Sequence, residues 1–283
     1  MNKPNLFKDR SLLIATKHKK ESVMAPLLEE TLGVPCFTDS NLDTDSLGTF
    51  TGEIERKDDP LTTVRNKCLM ASESSNFDLI VASEGSFFPH PLFPYAYTNV
   101  EILCFMDLKN NLEIIATEQS NETNFNGQAI KSVKELYVFC QNVGFPSHGL
   151  ILRRSKNDIM GIVKGVNKQE ELMSYYNYFM NTYGEVFIET DMRAMHNPTR
   201  LKVIKLATEA LIKKINSCCP TCYTPGYDVT DSLRGLPCEI CSYPTNGIKR
   251  LVYTCQKCSY TESVDYPNEK KTADAMYCDI CNP

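Results

Sequence analysis

Residues 77–87 read FDLIVASEGSF. Leu79, Ile80, Val81 and Ala82 form a short continuous apolar run, the pattern of a strand covered on both faces. Ser83, Glu84, Gly85 and Ser86 then interrupt it, and two readings stand. One is a polar turn, since Gly and Ser punctuate strands in many contexts. The other is a carboxylate held at the carboxyl edge of a sheet, where open α/β folds place their ligands.

Toward the N-terminus, SLLIAT (11–16) reads as a first buried strand. It leads into a helical segment in which Val23, Leu27, Leu28 and Leu32 recur near helical spacing and Gly33 closes the run. VPCFT (34–38) is a short second strand. The polar stretch DSNLDTDSLGTFTGEIERKDDP (39–60) is longer than most loops in compact domains, a length that goes with function or disorder. Pro60 opens a helix, PLTTVRNKCLMASES, as proline suits a first turn. Toward the C-terminus, VEILCFMDL and LEIIATE form an antiparallel hairpin around KNN. Residues 127–142 are expected as a helix, HGLILRR and MGIVKGV as strands. QEELMSYYNYFMNTYG is an amphipathic helix, EVFIET a strand, and NPTRLKVIKLATEALIKKIN a long last helix. Helix and strand alternate early, with a hairpin in the middle. The expected fold is therefore α/β, a mixed sheet with flanking helices over residues 1–215, followed by a small zinc-ribbon-like module over residues 216–283.

A net charge of −5 on 283 residues argues against wholesale attraction to phosphate backbones, so any nucleic-acid contact needs a local basic patch. No apolar run approaches the ~18 residues of a membrane span. The start, MNKPNLFKDRSLLIAT, has an apolar stretch too short for a secretory signal, and the chain is expected to be cytoplasmic with no membrane partner.

Of thirteen cysteines, eight form four Cys-x-x-Cys pairs: Cys219/Cys222, Cys238/Cys241, Cys255/Cys258 and Cys278/Cys281. Two such pairs complete one tetrahedral thiolate site, so eight ligands imply two zinc ions. With four thiolates each and no open position, both sites are structural. A region this small, with few large apolar side chains, needs the metal to fold. CEICSYPTNGIKRLVYTCQKCSYTES resembles a single zinc ribbon. That favours nested pairing, with the outer two pairs holding the other ion, and leaves sequential pairing open. Cys218 reads as a spare thiol. The module also offers Lys249, Arg250, Lys257 and Tyr253 to a nucleic-acid or protein partner.

Three polar clusters carry candidate chemistry. ATKHKKE (15–21) joins the Thr16 hydroxyl, His18 and the cations Lys17, Lys19 and Lys20 to a helix start, which suits a phosphate chain or is a solvated basic turn. The long loop carries Asp43, Asp45, Glu53, Glu55 and Arg56, acids able to hold Mg²⁺ or to remain solvated. The third is Glu84 with Ser83 and Ser86. In FFPHPLFP (87–94), a stiff proline-rich loop, His90 is either a proton carrier or a polar filler.

The order of these segments resembles the house-cleaning nucleoside triphosphate pyrophosphatases that hydrolyse inosine and xanthosine triphosphates. IATKHKKE is similar to their first strand and Lys-bearing helix, GTFTGE to their G-x-TF-x-E segment, and VRNKCLMA to the helix that follows. ASEGSF is similar to their acidic-Gly strand end, and DMRAMHNPTR to their late Arg-containing loop. The resemblance covers roughly residues 11–215. The whole chain, zinc module included, is also similar to a bacterial family of unknown function. What the first resemblance implies is a Mg²⁺-dependent nucleotide hydrolase, in which Lys17, Lys20, Arg56, Arg65 and Lys67 hold phosphates. Glu53 and Glu84 would hold Mg²⁺, with one of them or Asp45 acting as general base. Arg193, His196 and Arg200 would close over the base or the phosphates. Two other readings remain: an adaptor that works through its zinc module, and a nucleotide sensor that binds without turnover.

Overall fold

The computed structural model describes residues 6–93 and 96–283. Residues 1–5, the first of the stretch read against a secretory signal, and Pro94–Tyr95, the first of which closes the FFPHPLFP loop, lie outside the described residues. Two compact units divide the chain, one over Leu6–Ile212 and one over Lys213–Pro283.

The first unit holds two sheets. Strands β1 (Leu12–Ala15), β2 (Cys36–Phe37), β3 (Leu79–Pro89), β4 (Tyr97–Asp107) and β5 (Leu112–Ser120) lie in the order β2-β1-β3-β4-β5. β1 is parallel to β2 and β3, whereas β3, β4 and β5 run antiparallel in turn, so the sheet is mixed. Helices α1 (Glu21–Leu32) and α2 (Pro60–Glu73) belong to this half. α2 starts where the Asp59 carboxylate accepts from the Leu61 and Thr62 amides at 2.9 and 3.0 Å, satisfying donors that a helix start leaves open. Its Val64, Cys68 and Ala71 pack on Leu13, Ile80, Ala82 and Cys104 of the sheet.

The second sheet, β6 (Gly127–Ile130), β7 (Leu150–Arg153), β8 (Val163–Val166) and β9 (Val186–Thr190), is antiparallel in the order β6-β9-β7-β8. Helices α3 (Val133–Val143) and α4 (Gln169–Tyr183) bury Leu136, Phe139, Leu172 and Phe179 against its Leu150, Leu152, Val186 and Ile188. Helix α5 (Pro198–Asn216) follows.

Two local expectations are corrected. β3 does not end at Ala82; it runs to Pro89 because β4 pairs with it along eleven residues, Glu84 opposite Ile102 and Gly85 opposite Glu101. A continuous ladder of backbone bonds outweighs the weak strand preference of Ser and Gly. Gly85 is there for space: a Cβ at this position would collide with the Arg200 guanidinium and the Glu101 carboxylate. The helix expected over 127–142 begins only at Val133. Residues Gly127–Ile130 pair with β9 instead. Ser132 and Glu135 form a reciprocal cap, the Ser132 hydroxyl accepting from the Glu135 amide (3.3 Å) and the Glu135 carboxylate from the Lys131 amide (2.8 Å).

In the second unit, β10 (Asp228–Arg234), β11 (Ile248–Thr254) and β12 (Thr261–Asp265) form an antiparallel meander. Four cysteine knuckles separated by three strands obey a parity rule. Each strand carries the chain from one end of the sheet to the other, so the first and third knuckles share one end and the second and fourth share the opposite one. The cysteines accordingly group as Cys219, Cys222, Cys255, Cys258 and as Cys238, Cys241, Cys278, Cys281. This interleaved arrangement corrects the nested pairing, and the sequential one with it. Both had missed β10 and β12, whose sequences DVTDSLR and TESVD carry too little apolar residue to read as strands.

Candidate active site and metal centres

A cleft in the first unit, open to solvent, gathers residues from both sheets. Thr16 stands just after β1, and Lys17, His18 and Lys20 come from the turn before α1. The long loop supplies Asp45, Phe50, Thr51 and Arg56; α2 supplies Lys67 and β3 supplies Glu84. From the second sheet come Ile151 on β7 and Lys164 on β8, with Asp191 and Arg193 just beyond β9. The lining carries six Lys and Arg side chains against three Asp and Glu. A chain of net charge −5 has thus concentrated positive charge in one place.

Glu84 is the buried centre of this charge, 5% exposed and ion-paired to both Lys67 and Arg56. Burial alone would raise its pKa; the positive charges of Lys67, Lys20 and Arg56 outweigh it and hold the carboxyl below its ordinary value. Lys20, 6% exposed, donates to the Ser83 hydroxyl at 2.9 Å and to the Ser83 carbonyl at 3.3 Å. Burial, helped by the like charges of Arg200 and Lys67, pulls its ammonium down to about 7. At the rim, Lys17 reaches Asp43 at 2.5 Å, and His18 Nε2 lies 3.1 Å from Asp45. That hydrogen bond is the chief reason the Asp45 carboxyl sits below its usual range. Arg193 is anchored by Asp191 at 2.6 Å, which offsets the pull of burial on the guanidinium and leaves its pKa raised. Arg56 also donates to the Ser86 hydroxyl at 3.0 Å. Gly48 keeps the loop close, since its φ is +131° and a Cβ there would press on Arg56.

Not every expected residue lines this cleft. Arg65 points the other way and pairs with Glu113 on β5 at 2.6 Å; residues two apart on a helix do not share a face, so α2 cannot turn both Arg65 and Lys67 inward. Arg200 is 1% exposed, clamped by Glu101 (2.7 Å) and the Met192 carbonyl (2.6 Å), with the Phe50 ring 4.4 Å from its guanidinium. It braces β4 against α5 and is not free to close over a ligand. His196 packs its ring against Gly165 and Gly149 behind the lining. Glu53 is tied to Lys164 and to the Thr51 hydroxyl, beside the cleft and outside its lining. Ser83 and Ser86 position Lys20 and Arg56 and do not face the open space themselves. His90 accepts from the Leu92 and Phe93 amides, a turn-stabilising filler.

The sequence reading missed Lys164 and Asp191. Asp191 carries the signal that picked out Glu84, an acid directly after an apolar strand. Lys164 had only its place inside a strand to mark it.

The two cysteine clusters have the geometry of metal centres. Thiolates about 2.3 Å from a zinc ion at tetrahedral angles stand about 3.8 Å apart. Here Cys219 and Cys258 lie 3.7 Å apart, Cys222 and Cys255 3.6 Å, Cys238 and Cys281 3.9 Å, and Cys241 and Cys278 3.5 Å. Such spacings are too long for disulfides, and all eight cysteines are free. The Ile240 and Lys257 amides donate to the Cys238 and Cys255 sulfurs at 3.4 Å. Residues after three of the knuckles, Tyr223, Ser242 and Ser259, share φ near +60°, the same tight turn repeated. The donor set fits two structural zinc ions. Among the described residues, no other group of three or more His, Cys, Asp or Glu side chains converges on one point, and no helix is long and apolar enough to cross a membrane.

A family model described as a domain of unknown function (DUF6671) matches residues 67–283. The match begins at Lys67 and takes in Glu84, Lys164, Asp191, Arg193 and both cysteine clusters. No curated protein matches the chain.

Proposed function

The chain belongs to the DUF6671 family, and we propose that its first unit is a nucleotide hydrolase that binds a polyphosphate in the cationic cleft and releases pyrophosphate. The observation that carries this reading is the meeting of three clusters distant in sequence, around residues 16–20, 45–56 and 84, with Lys164 and Arg193 from the second sheet. Six Lys and Arg side chains line one open space against three carboxylates, a local excess of positive charge that an anionic phosphate chain complements.

In this reading Lys17, Lys20, Arg56, Lys67, Lys164 and Arg193 divide the charge of the phosphate chain. Positioning and electrostatic stabilisation do most of the work in phosphoryl transfer. Glu84 keeps Lys67 and Arg56 aimed into the cleft. The His18–Asp45 pair takes the proton of the attacking water as the new P–O bond forms and pyrophosphate leaves. Magnesium bound to the phosphates would neutralise part of their charge, and Glu84 could hold it on passing Lys67 or Arg56 to the phosphates.

The test is pyrophosphate release from a panel of nucleoside triphosphates with Mg²⁺. Turnover of at least one is expected, and D45N or H18A should slow it by about 10²-fold or more. Tight binding without turnover by the native protein would make it a sensor; neither binding nor turnover would remove the reading.

A second reading concerns the second unit. Ile240, Met276, Tyr277 and Ile280 are all more than half exposed, the two isoleucines on the two knuckles of one cysteine cluster. Apolar side chains held out on a metal centre favour a protein partner. Nucleic acid is disfavoured, because residues 216–283 carry more Asp and Glu than Lys and Arg, and each four-thiolate zinc site adds negative charge.

A further inference from the structure

A second pocket opens beside the cationic cleft and shares Phe50, Thr51 and Ile151 with it. Its character is different. Phe50, Tyr97, Phe125 and Phe187 supply aromatic surface, and its polar groups include Glu189 and Lys156. The rings support one another: Phe125 stacks on Phe87 with centroids 5.1 Å apart and planes 3° from parallel, and Tyr97 meets Phe125 edge-on at 4.8 Å. These contacts set the orientation of Phe125 and Tyr97 without any ligand. Gly127 packs close to the same lining, since a Cβ there would stand 3.0 Å from the Phe187 ring and 3.1 Å from Glu189 Cβ. Arg153 fixes Glu189 from behind through one carboxylate oxygen.

An apolar pocket with rings set at an angle, next to a polyphosphate cleft, suits a planar base joined to phosphates, which can stack on one ring and meet the edge of another. The polar pair narrows the class. Glu189 accepts hydrogen bonds and Lys156 donates them. A base edge that sets an exocyclic amino group beside a ring nitrogen or carbonyl acceptor complements both, and gives the carboxylate more donor hydrogens than the single ring N–H of hypoxanthine. We propose that this second pocket holds the base of the bound nucleotide, and that it favours a purine with an exocyclic amino group, read by Glu189 and packed against Phe125 and Tyr97. The assignment rests on the phosphate reading of the neighbouring cleft. It departs from the inosine and xanthosine preference that the sequence resemblance implies.

Calorimetric titration of the full zinc-loaded chain without Mg²⁺, so that binding is read without turnover, separates the two claims. Inorganic tripolyphosphate probes the cleft alone, and guanosine, adenosine and inosine triphosphates probe cleft and pocket together. Guanosine or adenosine triphosphate is expected to bind about tenfold or more tightly than tripolyphosphate, and more tightly than inosine triphosphate. F125L should remove most of the gain from the base, by loss of stacking, and E189Q the preference for the amino group. Both variants should bind tripolyphosphate as the native chain does, which also shows that they are folded. If tripolyphosphate binds and no nucleotide binds tighter, or if F125L changes nothing, the base pocket is overturned while the cleft stands. Inosine triphosphate binding as tightly as the amino purines would overturn the role of Glu189. Failure of tripolyphosphate itself to bind would overturn the cleft reading, and the pocket assignment with it.

Discussion

The two units of this chain reach stability by opposite routes. The first buries large side chains on two sheets: Leu136, Phe139, Leu172 and Phe179 in one half, Leu13, Val64, Ile80 and Cys104 in the other. The second has an apolar cluster of Cys219, Tyr227 and Cys255, with Cys222 and Tyr253 at its edge, so most of its members are metal ligands. Its β10 and β12 are largely exposed. Where the first unit excludes water, the second relies on sulfur–metal bonds, and the difference decides how each will fail.

Metal removal is the largest way to break this comparison. Zinc binding contributes on the order of 10 kcal/mol per ion in small metal modules. Stripping the metal with a chelator at neutral pH should therefore unfold the second unit and leave the helical signal and cooperative melting of the first in place. The same experiment, done with cysteine variants, sharpens the pairing. C219S/C255S strikes one site and should lose one zinc of two, whereas C219S/C238S strikes both and should lose two. Metal analysis of purified protein reads this directly. Nested pairing predicts two ions lost from C219S/C255S, and a second unit that stays folded after both ions are removed would deny that metal holds it.

A smaller effect is expected in the first unit at Arg200. Replacing it with Ala strands Glu101, a carboxylate with no exposed side-chain surface, in the sheet. Leaving half of such a pair costs about 3–5 kcal/mol. Urea unfolding of R200A should show a loss of this order, with zinc content unchanged. The double change R200M/E101L should recover most of it, because an apolar pair of similar volume removes the unpaired charge. A loss confined to R200A locates the role of Arg200 in bracing. A loss of ligand binding without loss of stability would return it to the cleft.

How much of this was legible in the sequence differs between the units for the same physical reason. In the first unit the continuous apolar runs at Leu79–Ala82 and Leu12–Ala15 announced strands covered on both faces, and Pro60 announced a helix start. The end of β3 was misplaced because Ser83 to Ser86 look like a turn until β4 is known to pair with them. In the second unit the cysteine spacing was legible and the pairing was not. Pairing follows from the number of strands, and strands held by metal need no apolar pattern. The cleft shows the same limit. The sequence brought out Lys17, Lys20, Arg56, Lys67 and Glu84, which the fold brings together, along with Arg65 and Arg200, which it turns away. Residue type is local information, whereas the face of a helix that meets a cleft is set by packing.

Lys20 offers the smallest and most direct probe. Its pKa of about 7 in the folded protein lies below the ordinary lysine value of 10.5. Between these two values the unfolded chain holds the proton and the folded chain releases it, so this group makes the fold gain stability as pH rises across the window. An anion in the cleft favours the charged form and draws the proton back. At pH 8, titration of tripolyphosphate into the native chain, in two buffers of different ionisation enthalpy, should show uptake of close to one proton per ligand bound. K20M should bind more weakly, with that uptake gone. Binding with no proton uptake, or no binding at all, would contradict the claim that these buried cations are assembled to grip a phosphate chain.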